Sequence, residues 1–278
     1  MSYSDFKCSS DVKATLEIAR PHDFSIGRGK WGVSYEIEAY MGEELLWSKK
    51  TDNLIPTIGA EQILIDLMPA SGETSITAWF ISLIAATSNQ QSTGSMTASS
   101  ADLTLATAFG TEGVVGQVIT VVGAGVSGAN LVTTISSITS TTAYVLAATA
   151  STAVTNAVCV LGPVMAVGDT SASHAGWVEV TTSQVTQTTR QSFTPGTVST
   201  SGSNAIKTNS ASPAVYTGNT PTWWMTGIIM ASTDVFGSTT DTLLSEAAFD
   251  ANASPPGAAM IQNGMTLNIK ATFTSVAG

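Results

Sequence analysis

The chain has 278 residues, a formal net charge of −10 and only 11% charged residues, against 43% hydrophobic ones. That excludes a charge-rich disordered protein, because there is ample apolar material for a core. The 24 glycines follow no period of three, which excludes a collagen-like chain. The longest apolar stretch, Trp79 to Ala86 with one serine in it, falls far short of the roughly 20 residues of a membrane helix, so no membrane partner is expected. Residues 1–50 carry seven Lys/Arg and eight Asp/Glu, whereas residues 51–278 carry only Arg190, Lys207 and Lys270 against twelve acids. Phosphate neutralisation needs clustered basic residues, so no nucleic-acid partner is expected either. The mixed-charge start of the chain, 1–50, reads as a solvated or protein-contacting arm ending in a β-hairpin. No charged-then-apolar leader pattern is present, and assembly in a cytoplasm is expected.

In chain order, the first strong element is Trp31 to Tyr40, where Trp31, Val33, Tyr35 and Ile37 alternate onto one strand face. Met41 to Glu44 reads as a turn and Leu45 to Ser48 as the returning strand. Pro56 to Met68 is the one helix candidate, with Thr57 as cap, Pro69 as stop, and Ile58, Leu64, Leu67 and Met68 on its apolar face. Thr77 to Ile84 is nearly continuous apolar sequence and predicts a strand buried on both faces.

Residues 87–100 read as a polar linker. From Gly113 to Gly168 there is no charged residue at all. Within that stretch Val118 to Val122, Leu131 to Ile138, Tyr144 to Leu146 and Val158 to Leu161 are β-branched runs separated by Gly, Ser and Thr, as expected of a small antiparallel β unit. Charged and Trp-containing sequence resumes immediately afterwards, so residues 105–164 read as an inserted domain between two parts of a core domain, 51–104 and 165–278. Trp177 to Val180 and Trp223 to Met230 read as strands and Asn204 to Pro213 as loop. Asn263-Gly264 is a turn signal before the strictly alternating Thr266 to Phe273, with Leu267, Ile269 and Ala271 on one face. The fold class expected is mainly β: an antiparallel sandwich or jelly-roll-like core with an extended N-terminal arm, one short helix and an inserted small β domain.

Catalytic and cofactor patterns are sparse, and neither an enzyme nor a cofactor is expected. Gly123-Ala-Gly125-Val-Ser-Gly128 matches the dinucleotide fingerprint literally. The sequence after it is β-prone, and no acid stands near residue 145 to hold a ribose, so it reads as a β-turn. His174 with Ser173 and Asp169 is too local to be evidence of a triad, and there is no GxSxG elbow. Glu43-Glu44 and the pair Glu36 and Glu38 read as solvated carboxylates rather than a glycosidase pair. Trp223 and Trp224 point to opposite faces of a strand, so only one of them can join a sugar platform. Cys159 reads as a buried small hydrophobe, and a bond between Cys8 and Cys159 has no positive support. Neither cysteine has metal-ligand spacing, so no metal is expected.

The stronger clue is the charge-free stretch, because a surface of that kind suits a chain whose neighbours cover it. The series Asn53 to Gly59, Trp79 to Ile84, Ser173 to Val180, Arg190 to Gly196, Asn209 to Tyr216 and Asn263 to Leu267 resembles tailed-bacteriophage virion structural proteins, and residues 105–164 resemble the β modules of phage tail spikes and fibres. The resemblance implies a virion component without catalytic residues. The expectation drawn from it is a capsid decoration (cement) protein, a homo-oligomer in the form of a homotrimer, bound to the phage major capsid protein. The alternative is a tail or fibre component. Trp31, Tyr35, Trp47, Trp177, Trp223 and Trp224 are the candidate oligomer or lattice contacts.

Overall fold

The structure is a computed structural model, and it describes residues 24–26, 29–67, 70–174, 176–202, 204–250, 253 and 256–276. The N-terminal arm expected before Phe24 lies outside the described residues.

The first block contains strands β1 (Phe24–Ile26), β2 (Gly29–Met41) and β3 (Glu44–Asp52), helix α1 (Thr57–Leu67) and strand β4 (Trp79–Ala86). Period-two alternation in β2 buries Val33, Tyr35, Ile37 and Ala39 and turns Ser34, Glu36 and Glu38 outward. The β2–β3 turn is tight because Gly42 takes φ +62°, a conformation that costs glycine little. In β4, residues Ile81 to Ala86 are all buried, as two-sided coverage requires.

The second block contains β5 (Gln91–Met96), β6 (Asp102–Leu105), β7 (Val118–Val121), β8 (Leu131–Ser140), β9 (Ala143–Leu146) and β10 (Val154–Leu161). These six strands close into an antiparallel barrel in the order β10-β5-β6-β9-β8-β7. Leu103, Ile119, Ile135, Tyr144 and Leu161 fill it, and Phe109 meets Tyr144 edge-on at 5.9 Å. The fit is close at Gly94, where a Cβ would stand 2.8 Å from Leu103 Cδ1 and 2.9 Å from Cys159 Sγ.

The third block contains β11 (Val178–Glu179), β12 (Gln191–Phe193), β13 (Ser199–Ser201), β14 (Asn204–Thr208), β15 (Ala214–Thr217), β16 (Trp223–Ala231), β17 (Leu243–Ala248), β18 (Ala259–Ile261) and β19 (Thr266–Val276). Two antiparallel sheets result. One is centred on β2 and β19, with β1 and β3 along the far side of β2, and β14 and β15 along the far side of β19. The other is centred on β4 and β16, with β11 and β12 beside β4, and β17 and β18 beside β16. Their inner faces meet in one core: Val33, Tyr35, Ile37, Leu267 and Ile269 from the first sheet, and Ile81, Leu83, Met225, Ile228 and Met230 from the second. Each such Leu or Ile contributes about 1.5–3 kcal/mol by leaving water. The chain is therefore mainly β, a sandwich with one described helix and a small barrel.

Four sequence expectations need correcting. Gln91–Met96, read as linker, is barrel strand β5, so the barrel begins upstream of residue 105. Its signal was weak because only Gly94 and Met96 are buried along it. The helix does not bury Leu64 and Leu67, which are exposed. It buries Gly59, Ala60 and Gln62 instead, because it lies directly on β17, where a Cβ on Gly59 would come 2.3 Å from Leu244 O. Asn204–Thr208, expected as loop, pairs with β19. The Trp177 to Val180 strand contracts to Val178–Glu179.

Barrel and sandwich touch along a defined seam. Ala258 N donates to Thr120 Oγ1 at 3.0 Å across it, and on the sandwich side Lys49 Nζ donates to Gly257 O at 2.9 Å and so holds the loop that meets the barrel. Ala86, Val160 and Ala258 pack together there, with Val158 and Trp224 against them.

Candidate functional site

Of the six expected contact residues, the structure brings two together. Trp47 on β3 and Trp224 on β16 are half-buried and line one groove of about 590 Å³, with Leu46, Asn130, Met260 and Gln262. The groove runs along the seam between barrel and sandwich. Tyr35, Trp177 and Trp223 are instead buried within this chain and present no surface to a neighbour. Tyr35 is a core side chain whose hydroxyl bonds to Ser245 Oγ, and burial raises its pKa. The Trp31 side chain lies outside what the structure describes. Opposite-face geometry for the tryptophan pair holds: Trp223 packs in the sandwich core and Trp224 faces the groove.

The motifs set aside in the sequence fall where bland chemistry puts them. Gly123 and Gly128 take φ +77° and +79° in the connection between β7 and β8, with no α-helix following to bind a pyrophosphate. His174 stacks on Trp177 at 3.7 Å between ring centroids and directs Nδ1 at Trp177 O, 3.3 Å away. Ser173 N donates to Thr170 Oγ1, and Asp169 Oδ2 accepts from Ala166 N, so the three do not form a relay. Glu38 accepts from Lys270 at 2.7 Å and Glu36 lies 3.5 Å from Lys50, a solvent-facing pattern. The Lys270 bond holds the Glu38 carboxyl below its ordinary range. Cys159 is free and buried, and burial pushes its thiol up to about 12, so it is inert. Cys8, the other half of the disulfide considered above, lies outside the described residues. Among the described residues no group of three or more His, Cys, Asp or Glu could hold a metal, and no helix is long and apolar enough to cross a membrane.

Two ionic arrangements escaped the sequence. Arg190 is buried and donates Nε and Nη2 to the two oxygens of Glu179 at 2.6 and 2.8 Å. Its Nη1 bonds Asp241 Oδ2 and Thr233 O, while Gly237 N donates to Glu179 Oε2. Burial works against the guanidinium charge, but the two carboxylates outweigh it and hold its pKa above the ordinary value. The cluster ties β11, the turn before β12 and the β16–β17 connection into one unit. The second is Glu246, fully buried on β17, which accepts from Trp177 Nε1 at 2.9 Å. Burial, then the neighbouring Asp169 carboxylate, pushes its pKa up to about 9. The only sequence signal for it was a lone acid within the apolar run Leu243 to Ala248.

Comparison with known protein families, curated proteins and solved structures finds nothing that matches this chain.

Proposed function

We propose that this chain is a structural protein of a tailed-bacteriophage virion, a capsid decoration protein that assembles as a homotrimer on the major capsid protein lattice. One observation carries the reading. The barrel, residues 91–161, contains no basic residue and only two acids, Asp102 and Glu112, while Val115 and Val126 on it are 64% and 72% exposed. Such a surface invites association in a free monomer and is suited to one covered by neighbours. The buried ion clusters are structural ties within a rigid body, not a reacting constellation. The resemblance to virion proteins supplies the setting, and area buried across capsomer junctions is the means by which the shell is held against the pressure of the packaged genome. The barrel, a closed module carried on the sandwich, favours a second reading as a tail or fibre component.

The test has two parts. The purified chain is expected to show a trimer mass under native conditions, and particles lacking it are expected to lose thermal and osmotic resistance. A monomer with no affinity for any viral particle overturns the proposal. Imaging of intact particles that places the chain on the tail replaces the first reading with the second.

A further inference from the structure

The Glu246 environment combines three observations. Its side chain is fully buried, and its Oε1 has no hydrogen-bond partner, while Oε2 is taken by the Trp177 indole. An ionised carboxylate left in that state is costly, so the orphan oxygen needs an explanation. Ile229, the register partner of Glu246 on β16, and Trp177 belong to an apolar cluster with Ile84 from β4 and Leu243, against which Ile58 from α1 and Met165 pack. The charged group that acts on Glu246 is Asp169, whose carboxyl lies within hydrogen-bonding reach and is itself held by Ala166 N at 3.0 Å; the Ala166 backbone also approaches the Glu246 carboxyl and eases its charged form, but burial and Asp169 outweigh it. His174, another titratable side chain, stacks on the far side of this arrangement against Trp177. Two carboxylates without a cation between them repel, whereas one carboxylic acid and one carboxylate make a strong hydrogen bond.

We propose that Glu246 and Asp169 share one proton, and that this shared proton clasps the segment returning from the barrel onto the sandwich. Glu246 Oε1–H donates to the Asp169 carboxylate, which removes the orphan and leaves a single negative charge on the pair. The clasp joins three stretches of chain that are remote in sequence. Asp169 and Trp177 belong to the return segment, and Thr57 N donates to Val167 O at 2.8 Å. Leu54 and Glu246 exchange backbone hydrogen bonds at 2.7 and 3.0 Å, which fixes the entry to α1. Among the described residues no group of three or more His, Cys, Asp or Glu gathers here, so a proton suits the pair where a hard cation, which takes about six to eight oxygens, does not. This goes beyond the virion reading and does not depend on it.

The sign of the pH dependence follows from linkage. The folded-state pKa of Glu246 lies above its ordinary 4.5, at about 9, so the folded chain holds a proton that the unfolded chain has released. The contribution of this pair to stability therefore falls as pH rises from about 4.5 towards about 9 and levels off above that. The experiment uses the full chain. The Glu246 side-chain carboxyl is followed by carbon-13 NMR up to pH 10, and thermal unfolding from pH 5 to 8, below the range in which the lowered Lys49 pKa acts in the opposite sense. The expected result is an alkaline carboxyl midpoint and a fall in Tm across that range, which Glu246→Gln abolishes by supplying a permanent N–H donor. Should that variant fail to fold, Asp169→Asn decides: removing the like charge is expected to bring the Glu246 midpoint down by a measurable shift. A Glu246 midpoint near 4.5, or one that Asp169→Asn leaves in place, overturns the proposal. So does a rise in Tm on adding calcium or magnesium alone, seen in the parent chain and absent in Glu246→Gln, because the site then holds a cation.

Discussion

Inside the sandwich, Lys49, Glu179, Arg190, Asp241 and Glu246 are all buried, whereas the buried polar side chains of the barrel are the hydroxyls of Thr120 and Thr133. The sandwich assembles from strands far apart in sequence, and directional ionic contacts fix which loop meets which. Lys49 shows the same device at the seam: burial pulls its ammonium down to about 8, while Gly257 O and the Phe249 ring, 5.0 Å from Nζ, hold it in place. The barrel is local, closed and free of sheet edges, and shape complementarity around Tyr144 and Gly94 is enough to specify it. One region is thus vulnerable to losing a single charge and the other to losing a single methyl group.

The largest effect should come from Arg190→Ala, which leaves Glu179 and Asp241 buried without their partner. A loss of about 3–5 kcal/mol is expected in denaturant unfolding, and replacing all three residues by apolar ones of similar volume should recover most of it. A loss below about 1 kcal/mol would break the contrast, because the cluster would then be incidental. Next comes Ile119→Ala in the barrel, expected to cost about 2–4 kcal/mol through the cavity it leaves. Amide exchange should quicken at Val121 and Val160 while Ile37 and Ile228 stay protected; equal quickening in both regions would mean they unfold as one unit. The smallest effect is Lys270→Gln on the outer face of β19, about 0.2–1 kcal/mol and masked by salt. Because Lys270 holds the Glu38 carboxyl below its ordinary range, that contribution is present above about pH 4.5 and fades as pH falls through the folded-state value. The variant should therefore show a shallower loss of stability on acidification.

The parts legible in the sequence were those whose periodicity one face of a sheet dictates. The alternation in β2 and β19 and the apolar runs of β4 and β16 announced the four central strands, because each repeats its burial every second residue or buries both faces. The barrel was legible as β sequence from Val118 to Leu161 but not as a closed object. Closure depends on β5, whose Gln91-Ser-Thr-Gly-Ser sequence carries no apolar signal, and on small residues that let neighbours approach. The helix was placed, but its buried face was not: Gly59 faces the sheet for reasons of clearance, which a hydrophobic stripe does not express. The ion cluster required Glu179 on β11, Arg190 in the turn before β12 and Asp241 in the β16–β17 connection to converge, and no linear spacing encodes that. The expected aromatic contacts were divided by the converse effect. Tyr35, Trp177 and Trp223 are large enough to be recruited into the interior, and of the six, among the described side chains, Trp47 and Trp224 retain an outward aspect.

The polypeptide departs from the sandwich at the end of β4, at Ala86, and comes back to pair beside that same strand, Val178 opposite Ala85. Exit and re-entry are thus next-door neighbours, and the segment between them, though it also rests on the sandwich along the seam, enters and leaves at one place. A host sheet arranged this way keeps its register whatever is clipped on, so the barrel can be exchanged for another module with adjacent ends, and the carrier need change only the few side chains along the seam.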